Sequence, residues 1–480
     1  MLVFKRFGPQ DVDTKATPHL KKICPVSLES TKTFFAGCGD FVLRTVSAGG
    51  TEVGVPLCWL DGTVSGSDVA EQVIRPLSDP SRFGSVRSMG DAAAILDAGL
   101  AYGSDMRAVY DMEELARGVS FGCCAAVLDG VAFLFQLRTD QRRGVQEPTV
   151  EKSVKGSKDA FTEVLRVNTA LTRARLRTSR LKLRQITLAG TDASLLWLEG
   201  AAPPELLPWA EGRLAALAPA GPLAPDDLDS ALSSCPRSPF PQLLHTERPD
   251  RLAAYLAEGK VCVLADGIPV GFALPACLRD FMTTGEDGAQ HCVPASFLRL
   301  LRWAAMGITL FLPALYVAIA AFHPEMIPTE LLSSVIRSKQ AVPFSTSTEI
   351  LGMLLAFELL QEAGLRLPDP VGQTVSIIGA LIVGQSAVEA KVISPIAVIV
   401  VALAGIAGYT SPSQDMGTAL RLCRLGLVIA AAWAGMFGIA AGGLLLLWHL
   451  GSMETCGRSY IADPDRGRLL RRAPAGGRTP

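Results

Sequence analysis

Apolar positions fall into two regimes along this chain. Through the first 290 residues they come as short β-branched or aromatic runs closed by an acidic-Gly dipeptide, and the same order occurs twice. Trp59-Leu60-Asp61-Gly62 is matched 138 residues later by Trp197-Leu198-Glu199-Gly200, and Leu128-Asp129-Gly130 is matched 137 residues later by Ala265-Asp266-Gly267. Behind the first turn of each unit, apolar residues recur at helix spacing: Val69, Val73 and Leu77 in one, Leu206, Ala210 and Leu214 in the other. Each unit is therefore expected to run strand, turn, helix, strand, turn. The acidic-Gly pairs are read as turns with Gly at positive φ rather than as metal or phosphate ligands. The predicted fold is two duplicated α/β soluble subdomains, residues 30–140 and 161–290, after an N-terminal extension (1–29) and joined by a polar connector (141–160). Ten prolines from Pro203 to Pro249 predict irregular chain beyond the short helix there.

Beyond residue 300 the runs lengthen and lose their charges. Trp303–Phe322 holds 20 uncharged residues, enough to cross a hydrocarbon core of about 30 Å. Val371–Val388, Val392–Gln414 and Leu425–Met453 are free of acidic and basic side chains apart from His449. An α-helical transmembrane domain of four to five hydrophobic helices is expected over residues 295–455, with a basic tail at 456–480. Arg337, Lys339, Arg366, Arg421 and Arg424 are expected between spans, facing out. Pro343–Leu360 is apolar yet carries Glu349 and Glu358. Nine residues apart, they sit about 180° apart on a helix and need two environments. Either they line water as pore or ion-path residues, or they sit in headgroup water on an interfacial helix. Gln373 and Gln385, in the following span, are further ion-path candidates, with hydrogen bonding across a helix pair as the alternative.

Composition sharpens this division. The 480 residues are 49% hydrophobic and only 19% charged, and the apolar excess lies in the C-terminal part. A net charge of −1 gives no electrostatic reason for nucleic-acid binding. Basic residues do cluster in Phe161–Arg184, where Arg173, Arg175 and Arg177 are candidate contacts to membrane lipid or an acidic partner; a solvated helix face is the plain alternative. Eleven cysteines without a C-x-x-C pair are read as reduced, mostly buried thiols. Met1–Lys15 lacks the apolar run of a secretory signal, so the soluble part is expected on the cytoplasmic side. With no Gly-rich phosphate loop, no H-E-x-x-H, no G-x-S-x-G and five dispersed histidines, no catalytic, cofactor or metal site is expected, and the chain is read as a non-enzyme.

Several ordered segments resemble a known family. They include Gly156-Ser-Lys-Asp-Ala-Phe-Thr-Glu163, Ser238-Pro-Phe-Pro241, Thr246-Glu-Arg-Pro-Asp250, Phe297-Leu-Arg-Leu-Leu-Arg302 and Leu312-Pro-Ala-Leu-Tyr-Val-Ala318. Glu362-Ala-Gly-Leu-Arg-Leu-Pro368 and Val383-Gly-Gln-Ser-Ala-Val-Glu-Ala390 continue the series. Across residues 30–460 the chain resembles the GerA spore germination protein family, the A subunits of germinant receptors. The resemblance implies a protein of the spore inner membrane, its soluble domain on the core side, that joins receptor B and C subunits and oligomerises with itself. It further implies a nutrient-gated cation channel, with a non-conducting scaffold as the alternative. A related stage V sporulation membrane protein shares the pattern. Ser345, where the family often has a second proline, and the tail from Ser459 depart from it.

Overall fold

The computed structural model describes residues 25–98, 106–137, 148, 151, 156–188, 190–217, 221–288, 290–340, 342–366 and 384–461. These form two compact units, one drawn from residues 1–144 and 169–184, the other from 145–168 and 185–480.

The first unit is a five-stranded antiparallel sheet between two helical layers. Its strands are β1 (Phe41–Ser47), β2 (Gly54–Leu60), β3 (Met106–Val109), β4 (Cys123–Leu128) and β5 (Val131–Gln136), in spatial order β1-β2-β4-β5-β3. Successive side chains on a strand point to opposite faces, and both faces are apolar here. Leu57, Ala126 and Phe133 face one layer, built from α2 (Gly66–Val69), α3 (Arg75–Leu77), α4 (Pro80–Phe83) and α5 (Met89–Asp97). Cys58, Ala125 and Leu134 face the other, with α1 (Leu28–Phe34) and α6 (Met112–Ser120). Val69, Val73 and Leu77, the predicted helical stripe, are all buried in the first layer. Residues Thr169–Arg184, expected with the second subdomain, belong to this unit. Electrostatics and backbone pairing hold them there: Arg173 is bound to Asp40, Lys182 Nζ donates to the Phe34 carbonyl at 3.0 Å, and Gly39 N donates to Leu183 O at 2.6 Å.

A second sheet, which belongs to the second unit from Gln185 onward, repeats the first strand for strand. After α7 (Leu165–Arg175), strands β6 (Leu181–Leu188), β7 (Thr191–Leu198), β8 (Leu244–Thr246), β9 (Val261–Ala265) and β10 (Gly271–Leu274) take the order β6-β7-β9-β10-β8. One face packs on α8 (Leu206–Ala215) and α9 (Pro225–Leu232) through Leu206, Ala210, Leu214, Leu228 and Leu232. Across the sheet lies α10 (Pro249–Ala257), with Leu252 and Leu256 fully buried; each such side chain contributes about 1.5–3 kcal/mol. The four acidic-Gly turns fall where the repeat placed them, with Gly62, Gly130, Gly200 and Gly267 at φ between 77° and 87°.

From α11 (Leu278–Phe281) the same unit continues into α12 (Cys292–Phe322), α13 (Thr329–Lys339), α14 (Thr346–Arg366), α15 (Pro395–Gly408) and α16 (Gln414–Ser452), then the small hairpin of β11 (Glu454–Thr455) and β12 (Arg458–Ser459). Two helices among the described residues, α12 and α16, are long and apolar enough to cross a membrane, against the four to five expected. The differences have local causes. Ser394 caps α15 and Pro395 starts it, leaving 14 residues, about 21 Å of helix and short of a span. Residues 371–383, most of another expected span, lie outside the described residues.

The expected span Leu425–Met453 is interrupted. Within α16, Ala434 (φ −130°, ψ 15°) and Gly435 (φ 56°, ψ −134°) leave helical geometry. A Cβ on Gly438 would lie 2.1 Å from the Ala430 carbonyl oxygen, and one on Gly442 2.7 Å from Leu427 Cδ2. In a straight helix residues eight apart are separated by about 12 Å, so α16 is folded back on itself. Phe322, the last residue of α12, packs on Gly435 at the tip. The interior joins Val317 of α12, Ile350 and Leu354 of α14, Val401 of α15 and Leu427, Val428 and Ile439 of α16.

This close approach makes a prediction of opposite signs. Gly438→Ala meets backbone and should destabilise by about 1–3 kcal/mol, whereas Gly426→Ala, which has open space around its Cβ, should be neutral or stabilise by up to about 1 kcal/mol. Thermal unfolding of the two variants in detergent micelles checks this; equal stability would mean that the two arms do not touch.

Candidate functional site

Two clusters in the second unit bring charged groups together. The first lies among the apolar helices. Glu358 of α14 accepts from Arg424 Nη2 at 2.6 Å and from Arg421 Nη1 at 3.2 Å, both on α16. Arg421 also donates to Gln361 Oε1 at 2.7 Å, and Gln361 Nε2 donates to the Tyr409 hydroxyl at 2.8 Å. Arg424 is 1% exposed, so its charge is tolerable only because Glu358 meets it. Both arginines were expected in a connection between spans; they lie instead within the first arm of α16, with their guanidinium groups on Glu358 of α14. Glu349, 3% exposed, holds a different neighbour: its Oε2 accepts from Ser394 N at 2.9 Å, at the N-terminus of α15. Its Oε1 has no hydrogen-bond partner among the described residues. The two glutamates thus occupy two environments, as their spacing required, and each ties α14 to another helix.

The other candidates are dispersed. Gln385 is exposed and donates to Glu389 Oε1 one helical turn away at 2.9 Å. Gln373 lies outside the described residues. Arg173 is not available to lipid or a partner: it is 3% exposed and bound to both carboxylate oxygens of Asp40 and to the Leu181 carbonyl. Arg175 and Arg177 are exposed, with the Arg177 guanidinium 5.2 Å from the Phe121 ring centroid.

The second cluster surrounds a cavity of about 420 Å³ between the α/β part of this unit and the first turn of α16. Its apolar wall includes Leu244, Val270, Phe272 and Phe281. At one end Glu151 accepts from Arg251 Nη1 at 2.5 Å and from the Thr246 hydroxyl at 2.7 Å. The Arg251 guanidinium lies 5.6 Å from the Tyr255 ring centroid, and burial pushes the Tyr255 phenol up to about 12. At the other end His245 stands between Asp229 and Asp415, 2.8 and 3.0 Å from its ring nitrogens. Burial alone would lower the His245 pKa, but the two carboxylates outweigh it and raise the pKa from 6.5 to about 9. None of these groups stood out in sequence, because Asp229, His245 and Asp415 are separated by 16 and 170 residues.

The α/β part also grips the helices elsewhere. Arg302, on α12, donates to both carboxylate oxygens of Asp287 at 2.8 and 3.0 Å. At the far end of α16, His449 lies 2.9 Å from the Ser238 hydroxyl. The tail closes the set, with the Thr455 hydroxyl on the Ala276 carbonyl and the Tyr460 hydroxyl on the Pro241 carbonyl.

Fold and clusters define a protein whose second α/β subdomain grips a bundle of apolar helices that holds acidic and basic side chains inside. The sequence matches the Bacillus/Clostridium GerA spore germination protein family over residues 29–464, and the chain belongs to that family. It is 33% identical to the Bacillus subtilis (strain 168) uncharacterized membrane protein YfkQ, over 94% of this chain and 87% of that protein. It is 32% identical to spore germination protein B1 of the same organism, over 91% of this chain and 90% of that one. Among solved structures, the N-terminal domain of the A subunit of the Bacillus megaterium spore germinant receptor GerK3 aligns at 20% identity with a TM-score of 0.43, covering 54% of this chain and 99% of that domain.

The Glu358–Arg424 pair yields a double-mutant prediction. Glu358→Gln strands the buried Arg424 guanidinium and should cost about 3–5 kcal/mol; Arg424→Met, which leaves Glu358 with Arg421, should cost less, and the double change should recover most of the Glu358→Gln loss. Additive losses in denaturant unfolding would show that the pair is not coupled.

Proposed function

We propose that this chain is the membrane subunit of a spore germinant receptor, assembling with itself and with B- and C-type subunits in the spore inner membrane, its α/β region on the core side. In this reading the assembly forms a cation path that opens when nutrient binds and so starts germination. Family membership supports the receptor assignment. The outward apolar side chains of α16, among them Trp433, Phe437, Leu444 and Trp448, support insertion in lipid, because water leaves such a surface uncovered at high cost.

The observation that carries the gating part is the grip on both ends of α16 and the start of α12. A shift of the second α/β subdomain displaces these helix ends together, and with them Arg421 and Arg424 relative to Glu358. Two packed arrangements of such a network differ discretely, as switching elements require. Glu349, Glu358, Gln373 and Gln385 are the proposed ion-path residues, and Arg175 and Arg177 the proposed contacts to lipid or a partner.

One observation favours the second reading, a non-conducting scaffold. Glu358 is engaged within the chain by two arginines, which leaves it poorly placed to meet a permeant cation. Flux through sealed vesicles under a K⁺ gradient, with the chain alone and with its partner subunits, separates the two. The channel reading expects flux that Glu349→Gln or Glu358→Gln reduces or makes less selective while assembly, followed by size, is retained. Absence of flux in every assembled combination would leave the scaffold.

A further inference from the structure

His245 faces a problem of hydrogen-bond accounting. Its Nε2 lies 2.8 Å from Asp229 Oδ1 on α9, and its Nδ1 lies 3.0 Å from Asp415 Oδ2 in the first turn of α16. Ionised carboxylates only accept, and a neutral imidazole carries a single N–H. Both contacts are hydrogen bonds at once only when both ring nitrogens are protonated. The neutral ring turns a lone pair toward one carboxylate at these distances, and that contact becomes repulsive. We propose that His245 is a proton-binding site whose occupancy fastens the first turn of α16 to the second α/β subdomain, and whose emptying releases it.

The surroundings make the ring the responsive group. On β10 its neighbour is Phe272, edge-on at 5.1 Å between ring centroids, which carries no charge. Just after β8 the nearest charged residue along the chain is Glu247; α9 contributes Asp229 and α16 contributes Asp415. Across the cavity, whose wall His245 and Asp415 share, stand Glu151, Arg248, Arg251, Asp280 and Glu286. Four of these are locally matched: Glu151 and Arg251 by each other, Arg248 by Asp250, and Asp280 by Lys260. The cavity lets solvent reach the ring edge, so proton exchange needs no unfolding. At the other end of α16, His449 meets the Ser238 hydroxyl rather than a carboxylate, so that attachment has no second acceptor to satisfy.

The sign follows from the geometry. The folded chain holds the His245 proton up to about pH 9 against an ordinary value of 6.5. The fastening is therefore fully present below about 6.5 and is lost as pH rises through about 9. This holds whether or not the chain conducts ions, so failure of the channel reading leaves it standing.

The test uses the full chain in lipid vesicles with ¹³C-labelled histidine, titrated by NMR, with the His245 signal identified by its absence in His245→Gln. Should that variant not fold, the signal is the one that shifts in Asp229→Asn. The expected result is a His245 pKa near 9 that falls by about one unit or more in Asp415→Asn. Hydrogen exchange of the Gln414–Gly417 amides, corrected for intrinsic rates, should lose about tenfold protection as the ring deprotonates, and should show no such step in Asp415→Asn. A His245 pKa within about half a unit of its ordinary value, no change in Asp415→Asn, or protection without a step would each overturn the proposal.

Discussion

The placement of residues 414–461 depends on α16 turning back. Its 39 residues would reach about 58 Å if straight, carrying the tail far from the α/β subdomain against which it packs. The turn needs a residue that accepts φ 56° with ψ −134°, and Gly435 does so without a side-chain clash. It then needs two arms in backbone contact, which Gly438 permits because it has no Cβ to strike Ala430. Return of the second arm sets His449 beside Ser238, and the tail that follows brings Tyr460 to Pro241.

Charge inside an apolar bundle is the second constraint, and it follows from the first. The first arm of α16 must carry Arg421 and Arg424 into the helix pack, and a guanidinium removed from water is tolerated only beside a carboxylate. Glu358 supplies it from α14, while Glu349, nine residues earlier, reaches the N-terminus of α15, where unpaired backbone N–H groups favour an acceptor. A single helix thus uses two acids on opposite sides to fix two neighbours.

The duplication shows how one sheet pattern serves two ends. Both sheets share strand order and turn glycines and carry helices on both faces, and the edge of the second, at β8, opens on the cavity and the start of α16. His245 is on that edge strand. A residue placed there meets groups brought from far along the chain, which accounts for its two carboxylates arriving from α9 and α16.

Periodicity alone determined the repeated α/β units, the acidic-Gly turns, the buried stripes at Val69, Val73 and Leu77 and at Leu206, Ala210 and Leu214, and the apolar character of the last third of the chain. These are local properties, set by side-chain polarity along one strand or helix and by the backbone freedom of glycine. The ordered motifs determined the family. Tertiary structure alone decided that Leu425–Met453 is not one straight span, because a run of apolar residues looks the same whether it continues or doubles back, and Gly435 and Gly438 read equally well as packing residues. It alone decided that Arg173 is buried with Asp40, that Arg421 and Arg424 face inward to Glu358, and that His245 meets Asp229 and Asp415. Each of these is a pairing of charges across long sequence separations, and which charge meets which is settled only when the folded backbone brings them within a few ångströms.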